Sequence, residues 1–300
     1  MEAEMMRLLL GLLVLGVAGF AVFAGITRPK TSDPADFAQI TGDVGRGEQV
    51  FWAGGCTSCH AAPGAEGDAK LVLAGGLAFR TAFGTFHAPN ISSDPAVGIG
   101  AWSVTDLDSA MRHGTSPGGE HYYPAFPYKS YIRATRQDVA DLHAFLMTLP
   151  ASATPSLPHE VGFPFNQRIL LGGWKFLFLS DKWVVDGDLT PAETRGRYLV
   201  EGLGHCSECH TPRNALGGRD LARWLAGGPN PDGPGTIPNI TPGKLTWSAD
   251  EIADYLATGF TPEYDSAGGT MADVVGNMAR LPPEDRAAIA AYLGRVPPHP

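Results

Sequence analysis

The sequence has no cysteine to spare. Its 300 residues hold four, and all four fall in two short runs, Cys56-Thr-Ser-Cys59-His60 and Cys206-Ser-Glu-Cys209-His210. A lone C-x-x-C suits a thioredoxin-like redox pair or half of a zinc site. Two copies, each followed by His and with no cysteine left over, argue against both. An excess of basic charge is also missing: the formal net charge is −9, which excludes nucleic acid as a natural partner. Such a surface suits docking on a basic patch of another protein, or serves solubility alone. No strand-like alternation is prominent. Methionine is scarce, with seven in the chain and none between Gly114 and Asp138.

The two runs read C-x-x-C-H, the haem attachment signature. Two thiols add to the two vinyl groups of one porphyrin, and the adjoining His sits under the iron as proximal ligand. Cys56, Cys59, Cys206 and Cys209 are therefore expected to carry two covalently attached haem c groups, with His60 and His210 as iron ligands. Gly and Pro make up 63 residues, or 21%, which is below the level of disorder and fits loop-rich domains built around a haem.

Leu8 to Thr27 is 20 residues without a charge, flanked by Arg7 and by Arg28 and Lys30. That length spans a bilayer as a helix. A cleaved signal peptide is the competing reading, with Val22-Phe23-Ala24 as its site. The run exceeds the usual signal core, so a retained anchor is expected. Arg28 and Lys30 alone would place the following chain in the cytoplasm. The haem motifs outweigh them, because c-type haem is attached outside the bacterial cytoplasm. The expected location is the inner membrane, with the haem domains in the periplasm.

The rest is one unit written twice. Arg46-Gly47 and Arg195-Gly196 precede the two motifs. Leu73-Ala-Gly-Gly76 matches Leu225-Ala-Gly-Gly228, Pro89-Asn90-Ile91 matches Pro238-Asn239-Ile240, and Trp102-Ser103 matches Trp247-Ser248. Asp138 to Pro150 matches Asp285 to Pro297 without a gap. A repeat this long means two domains, since solenoid periods run roughly 20–50 residues. Helices are expected over 45–54 and 195–204, after the N-caps Ser103 and Ser248 up to Gly114 and Gly259, and from Arg136 and Pro283 to the closing prolines. The expected organisation is an anchor (1–30), a first domain (31–150), a connector (151–187) and a second domain (188–300), all-α throughout. The connector's apolar run, Phe163 to Leu179, is too short and interrupted to span a membrane. It reads as an interdomain helix, or as a strip for a partner or membrane surface.

Several runs carry a resemblance. Gly84-Thr-Phe-His-Ala-Pro-Asn90-Ile, Gly98-Ile-Gly-Ala-Trp102-Ser, His121-Tyr-Tyr-Pro-Ala-Phe126-Pro-Tyr128, Phe163-Pro-Phe-Asn-Gln-Arg168 and Gly269-Thr-Met271-Ala-Asp-Val-Val275 resemble the membrane-bound cytochrome c subunits of bacterial alcohol, gluconate and fructose dehydrogenases. The resemblance covers nearly everything after residue 40. It implies class I cytochrome c domains that carry electrons rather than transform a substrate. A periplasmic dehydrogenase would be the donor, and a soluble cytochrome or terminal oxidase the acceptor. Those subunits usually have three haem motifs and this chain has two, so direct quinone reduction does not carry over.

The resemblance also points to Met271 as the distal ligand of the second haem, with Met278 as the fallback. Met271 lies 12 residues after Gly259, and the same count from Gly114 reaches Phe126, which cannot ligate iron. Met111 and Met147 read as core. His121 is the expected substitute at the first haem; a five-coordinate iron, His113 and His87 are the alternatives. Asn90, Asn239, Trp102 and Trp247 are candidates for holding the propionates, or for packing and turns. Rival functions are a dihaem peroxidase with an open first haem and a subunit of a terminal oxidase.

Overall fold

The structure is a computed structural model that describes residues 1–230 and 235–300. Helix α1, Glu2–Ile26, has no buried residue and meets the rest of the chain only near its end, against the helix of the connector. Its 25 residues make about 37 Å at 1.5 Å per residue, more than a bilayer's apolar core. Thr27 caps its end, donating from Oγ1 to the Phe23 carbonyl (2.7 Å).

The first half holds α2 (Val44–Ala53), α3 (Cys56–His60), α4 (Val104–His113), α5 (Tyr128–Tyr131) and α6 (Arg136–Leu146). The second holds α8 (Pro191–Arg197), α9 (Ser207–His210), α10 (Ala249–Thr258), α11 (Thr270–Met278) and α12 (Pro283–Leu293), with α7 (Ile169–Phe178) in the connector. The expected caps are present. Ser103 with Asp106 and Ser248 with Glu251 form reciprocal capping boxes. Gly114 and Gly259 close their helices in the left-handed region, at φ 59° and 79°, where only glycine is unstrained. Two departures from the all-helical expectation are small. Ala78–Thr81 pairs with Gly84–His87, and Gly228–Pro229 with Thr236–Ile237, as short antiparallel hairpins. The second entry helix widens to a π turn over Tyr198–Leu203.

Each half is closed by its first helix crossing its last. The crossing runs through a glycine. A Cβ on Gly47 would lie 2.0 Å from the Asp141 carbonyl oxygen, and one on Gly196 1.9 Å from that of Ala288. Arg46 and Arg195 then clamp the pair, with Nε 2.8 Å from Asp141 and 2.7 Å from Asp285. The apolar core behind these crossings is continuous from Phe51 and Leu146 in one half to Leu203 and Tyr292 in the other. The connector is fastened by Glu201, a fully buried carboxylate that accepts from Val184 N (2.7 Å), Val185 N (3.1 Å) and Tyr292 OH (2.5 Å).

The crossing is open to test. Gly47→Ala and Gly196→Ala each push a methyl into backbone that cannot yield locally, a cost of about 1–3 kcal/mol for overpacking. Each should lower the thermal unfolding midpoint followed by circular dichroism. Unchanged midpoints in both would show that the helices do not meet this closely.

Candidate haem centres

Each attachment motif is a single helical turn, so its two cysteines and His lie on one face at i, i+3 and i+4. The chain enters α3 through Gly55 at φ 63° and enters α9 through His205 at φ 40°. These left-handed residues turn the motif sharply away from the preceding helix.

The proximal imidazoles are held alike. His60 Nδ1 donates to the Pro89 carbonyl (2.9 Å), and His210 Nδ1 to that of Pro238 (2.8 Å). A carbonyl only accepts, so Nδ1 carries the proton and Nε2 keeps its lone pair for a metal. The leucine-alanine-glycine-glycine repeats complete the cradle. Gly75 N donates to the His60 carbonyl and Gly227 N to that of His210, both at 2.7 Å. Both glycines sit at φ 73°, and a Cβ on either would fall 2.5 Å from the Pro89 or Ile237 backbone. Glycine is thus what lets the proline loop reach the imidazole.

Burial lowers the pKa of both His60 and His210, outweighing the bond to the proline carbonyl. Burial also pushes the Cys56 and Cys206 thiols up to about 12. A dithiol exchange site has a depressed thiol, the opposite of what is found. Paired thiols beside a neutral imidazole with Nε2 available are the donor set of a covalently attached haem.

The distal segments superimpose in register. Tyr122 N donates to the Gly114 carbonyl and Ala267 N to that of Gly259, both at 2.7 Å. Thr115 bridges to His121 as Phe260 bridges to Ser266. At this offset Phe126 corresponds to Met271, and both are partly buried against the core. Met278 and Met111 are core residues at 6% and 5% exposure, and Met147 packs partly buried against the core.

His121 corresponds to Ser266, five positions short of Phe126. It is buried, and Nε2 donates to the Thr27 carbonyl at the end of α1 (2.9 Å). Nδ1 accepts from Lys175 Nζ (3.0 Å), which also donates to the carbonyls of His113 (2.8 Å) and Gly114 (2.6 Å). Burial, and then the Lys175 charge, lower the pKa of this imidazole. Both of its nitrogens are engaged, so it ties the end of α1 and α7 to the first half. His87 lies in the first hairpin, with Nε2 3.4 Å from Glu160, and His113 ends α4.

The asparagines are braces. Asn90 Nδ2 donates to the carbonyls of Ser152 and Thr154, both at 2.8 Å, and Oδ1 accepts from Ser92 N (2.8 Å). Asn239 Nδ2 donates to the His299 carbonyl (3.1 Å), and Oδ1 accepts from Thr241 N and Oγ1. These bonds go to backbone and fit the turn role, one of the two roles expected from sequence. Trp102 and Trp247 pack partly buried against the core, Trp247 edge-on to Tyr255 at 5.2 Å.

Sequence reasoning missed how the motifs meet. Gly54 O accepts from Tyr131 OH (2.7 Å) and from His205 Nε2 (3.3 Å), and the Tyr131 and His205 rings lie edge to face at 5.6 Å. Asn277 of the second half accepts from Thr57 Oγ1 (3.0 Å) and donates to Ser58 Oγ (2.7 Å) of the first motif. In return, Ser130 and Lys129 of the first half reach the second motif. Arg219 donates to both Ser130 Oγ (2.9 Å) and Ser207 Oγ (2.5 Å), and Lys129 lies 3.8 Å from Glu208. Burial alone would raise the Glu208 pKa, but Lys129, Arg219 and Arg213 hold it well below the carboxylate range. The visible signal was a charged residue inside the second C-x-x-C.

Comparison with known proteins agrees with this donor set. The cytochrome c family model matches residues 44–150. A diheme cytochrome c-type protein of Cereibacter sphaeroides is 66% identical over 285 residues, covering 95% of each chain. The fructose dehydrogenase cytochrome subunit of Gluconobacter japonicus is 35% identical across 90% of this chain and 56% of its own length. The gluconate 2-dehydrogenase cytochrome c subunit of Pantoea cypripedii is 35% identical across 96% of this chain and 65% of its own.

The brace role of Asn90 predicts the outcome of Asn90→Ala. The substitution strands the buried Ser92 N–H, at about 1–3 kcal/mol, and removes the bonds to the Ser152 and Thr154 carbonyls, so the unfolding midpoint should drop while the reduction potentials stay put. A shifted potential with unchanged stability would favour the propionate role instead.

Proposed function

This chain belongs to the dihaem c-type cytochromes and carries two covalently bound haem c groups, and from that premise we propose that it relays electrons between two tandem cytochrome c domains. The domains are residues 31–150 and 188–300, joined by the connector 151–187. Haem iron supplies one-electron exchange between ferric and ferrous states. The protein's part is to hold two such centres in fixed relation and set them apart in potential.

The observation that carries the reading is the junction of the two motifs. Gly54, His205 and Tyr131 bring the entries of α3 and α9 into direct contact, and each motif is bonded by side chains of the opposite half. A relay needs this closeness. A peroxidase needs instead a distal acid–base group, and His121 is occupied by Thr27 and Lys175.

The ends of the relay differ. Met271 supplies a thioether to the second centre, and thioether ligation raises potential. Phe126 in the matching place supplies nothing, and the bonding of His121 favours a first centre with no sixth ligand from this loop. The second half is then the accepting end. Relatives that are cytochrome subunits of fructose and gluconate dehydrogenases support a dehydrogenase as donor. The acceptor is a soluble cytochrome or terminal oxidase. Helix α1 holds the protein in the inner membrane with both domains in the periplasm.

A redox titration should resolve two potentials, and Met271→Ala should lower the higher one. A single overlapping wave would count against the order. In near-infrared magnetic circular dichroism the Met–iron band should have the intensity of one haem. His121→Ala should leave the spectrum of the first haem in place, and loss of a low-spin component would return His121 to the iron.

A further inference from the structure

Helix α7 has two unlike faces. Lys175 and Gly172 point inward and are buried, and Trp174 Nε1 donates to the Leu216 carbonyl of the second half (2.8 Å). The outer face carries Ile169, Leu170, Phe176 and Leu177, exposed at 43%, 47%, 69% and 63%. The spacing of seven puts these two pairs on one stripe, two turns apart. Gly173 lies midway on that stripe.

The end of α1 crosses the same face. A Cβ on Gly173 would lie 3.2 Å from the Phe23 ring, and one on the adjacent Gly172 2.4 Å from the Thr27 carbonyl. The anchor therefore leaves the folded body through the middle of this apolar stripe, with bulky residues on either side of its exit. Arg28 and Lys30 follow at once and are exposed, where they can meet lipid headgroups. His121 Nε2 holds the Thr27 carbonyl, so the exit is fixed to the first half by more than chain continuity.

We propose that the outer face of α7 lies in the membrane interface, seating the haem-bearing body on the lipid surface around the exit of α1. The occupant follows from continuity: where α1 enters the bilayer, residues flanking its last turn must stand at headgroup and upper acyl depth, and four large apolar side chains are stable there. The inference rests on the reading of α1 as a membrane anchor and adds a second, non-spanning contact that fixes the tilt of the body.

Thioether formation consumes the four native cysteines, so a single added cysteine takes a nitroxide label in the full-length holoprotein. Phe176→Cys and Leu170→Cys would report on α7, Val14→Cys on the anchor, and Tyr264→Cys on an exposed loop of the second half. The labelled proteins, in vesicles of phosphatidylcholine with phosphatidylglycerol, are probed by collision with oxygen and with a polar nickel chelate. Positions 170 and 176 should give an oxygen-to-chelate ratio between those at 14 and 264. A ratio at both positions equal to that at 264 overturns the proposal and leaves the stripe for a protein partner. A water-like ratio at 14 overturns the anchor reading. With it, a lipid-like ratio at 170 and 176 would still support α7 as a surface contact.

Discussion

The bond from each proximal imidazole to a proline carbonyl is the constraint around which the structure is arranged. It fixes the tautomer that leaves Nε2 for iron, and it cannot form unless the proline loop comes within hydrogen-bond reach of the motif helix. Gly75 and Gly227 open that space, Leu73 and Leu225 accept left-handed backbone next to it, and Asn90 and Asn239 brace the far side of the loop. The Asn braces end on the lengths of chain that follow the last helix, Ser152 to Thr154 in one half and His299 in the other. The helix crossing at Gly47 and Gly196 therefore sets where those segments run. Loop, brace and crossing form one mechanical circuit, present twice.

The junction between halves is held by polar contacts as well as by the shared apolar core. A buried ion pair contributes little net stability, because desolvation offsets its attraction. Removing one member is costly, since the partner charge is left in a dry site. The cluster of Lys129, Arg213, Arg219 and Glu208 is thus better understood as fixing geometry than as adding stability. It forbids the two motifs from sliding past one another, and a relay is sensitive to that displacement.

Much of this is legible in the sequence because it depends on local chemistry. The motifs, the capping serines, the left-handed glycines and the paired prolines each have a short-range reason to be where they are, and the internal repeat locates them twice. What escapes shares a different property. The carbonyls that Asn90 braces lie some 60 residues away. His121 meets Thr27 and Lys175, which come from two other segments. The hydrogen bonds of Asn277 and His205 across the junction have separations of 220 and 151 residues. No pattern within one repeat encodes a contact made with the other.

The asymmetry of the two halves acquires a reason when the anchor is included. The loop from Gly114 to Tyr128 has two tasks available to it, to present a ligand over the haem and to receive neighbouring chain. In the proposed relay the matching loop of the second half presents Met271, and its Ser266 carries no imidazole. In the first half the same stretch carries His121 at the bridge and Phe126 at the distal place. His121 gathers the end of α1, Lys175 of α7 and, through its carbonyl, Arg168 (2.6 Å). The first half is the one tied to the end of α1, and it has Phe126 where the second half has Met271. In the proposed relay this puts the lower-potential centre beside the lipid surface and the higher-potential one in the half farther along the chain from the anchor. Attachment and electronic order would then be set by one loop, whose polar side chains face the connector while its apolar side chain faces the core.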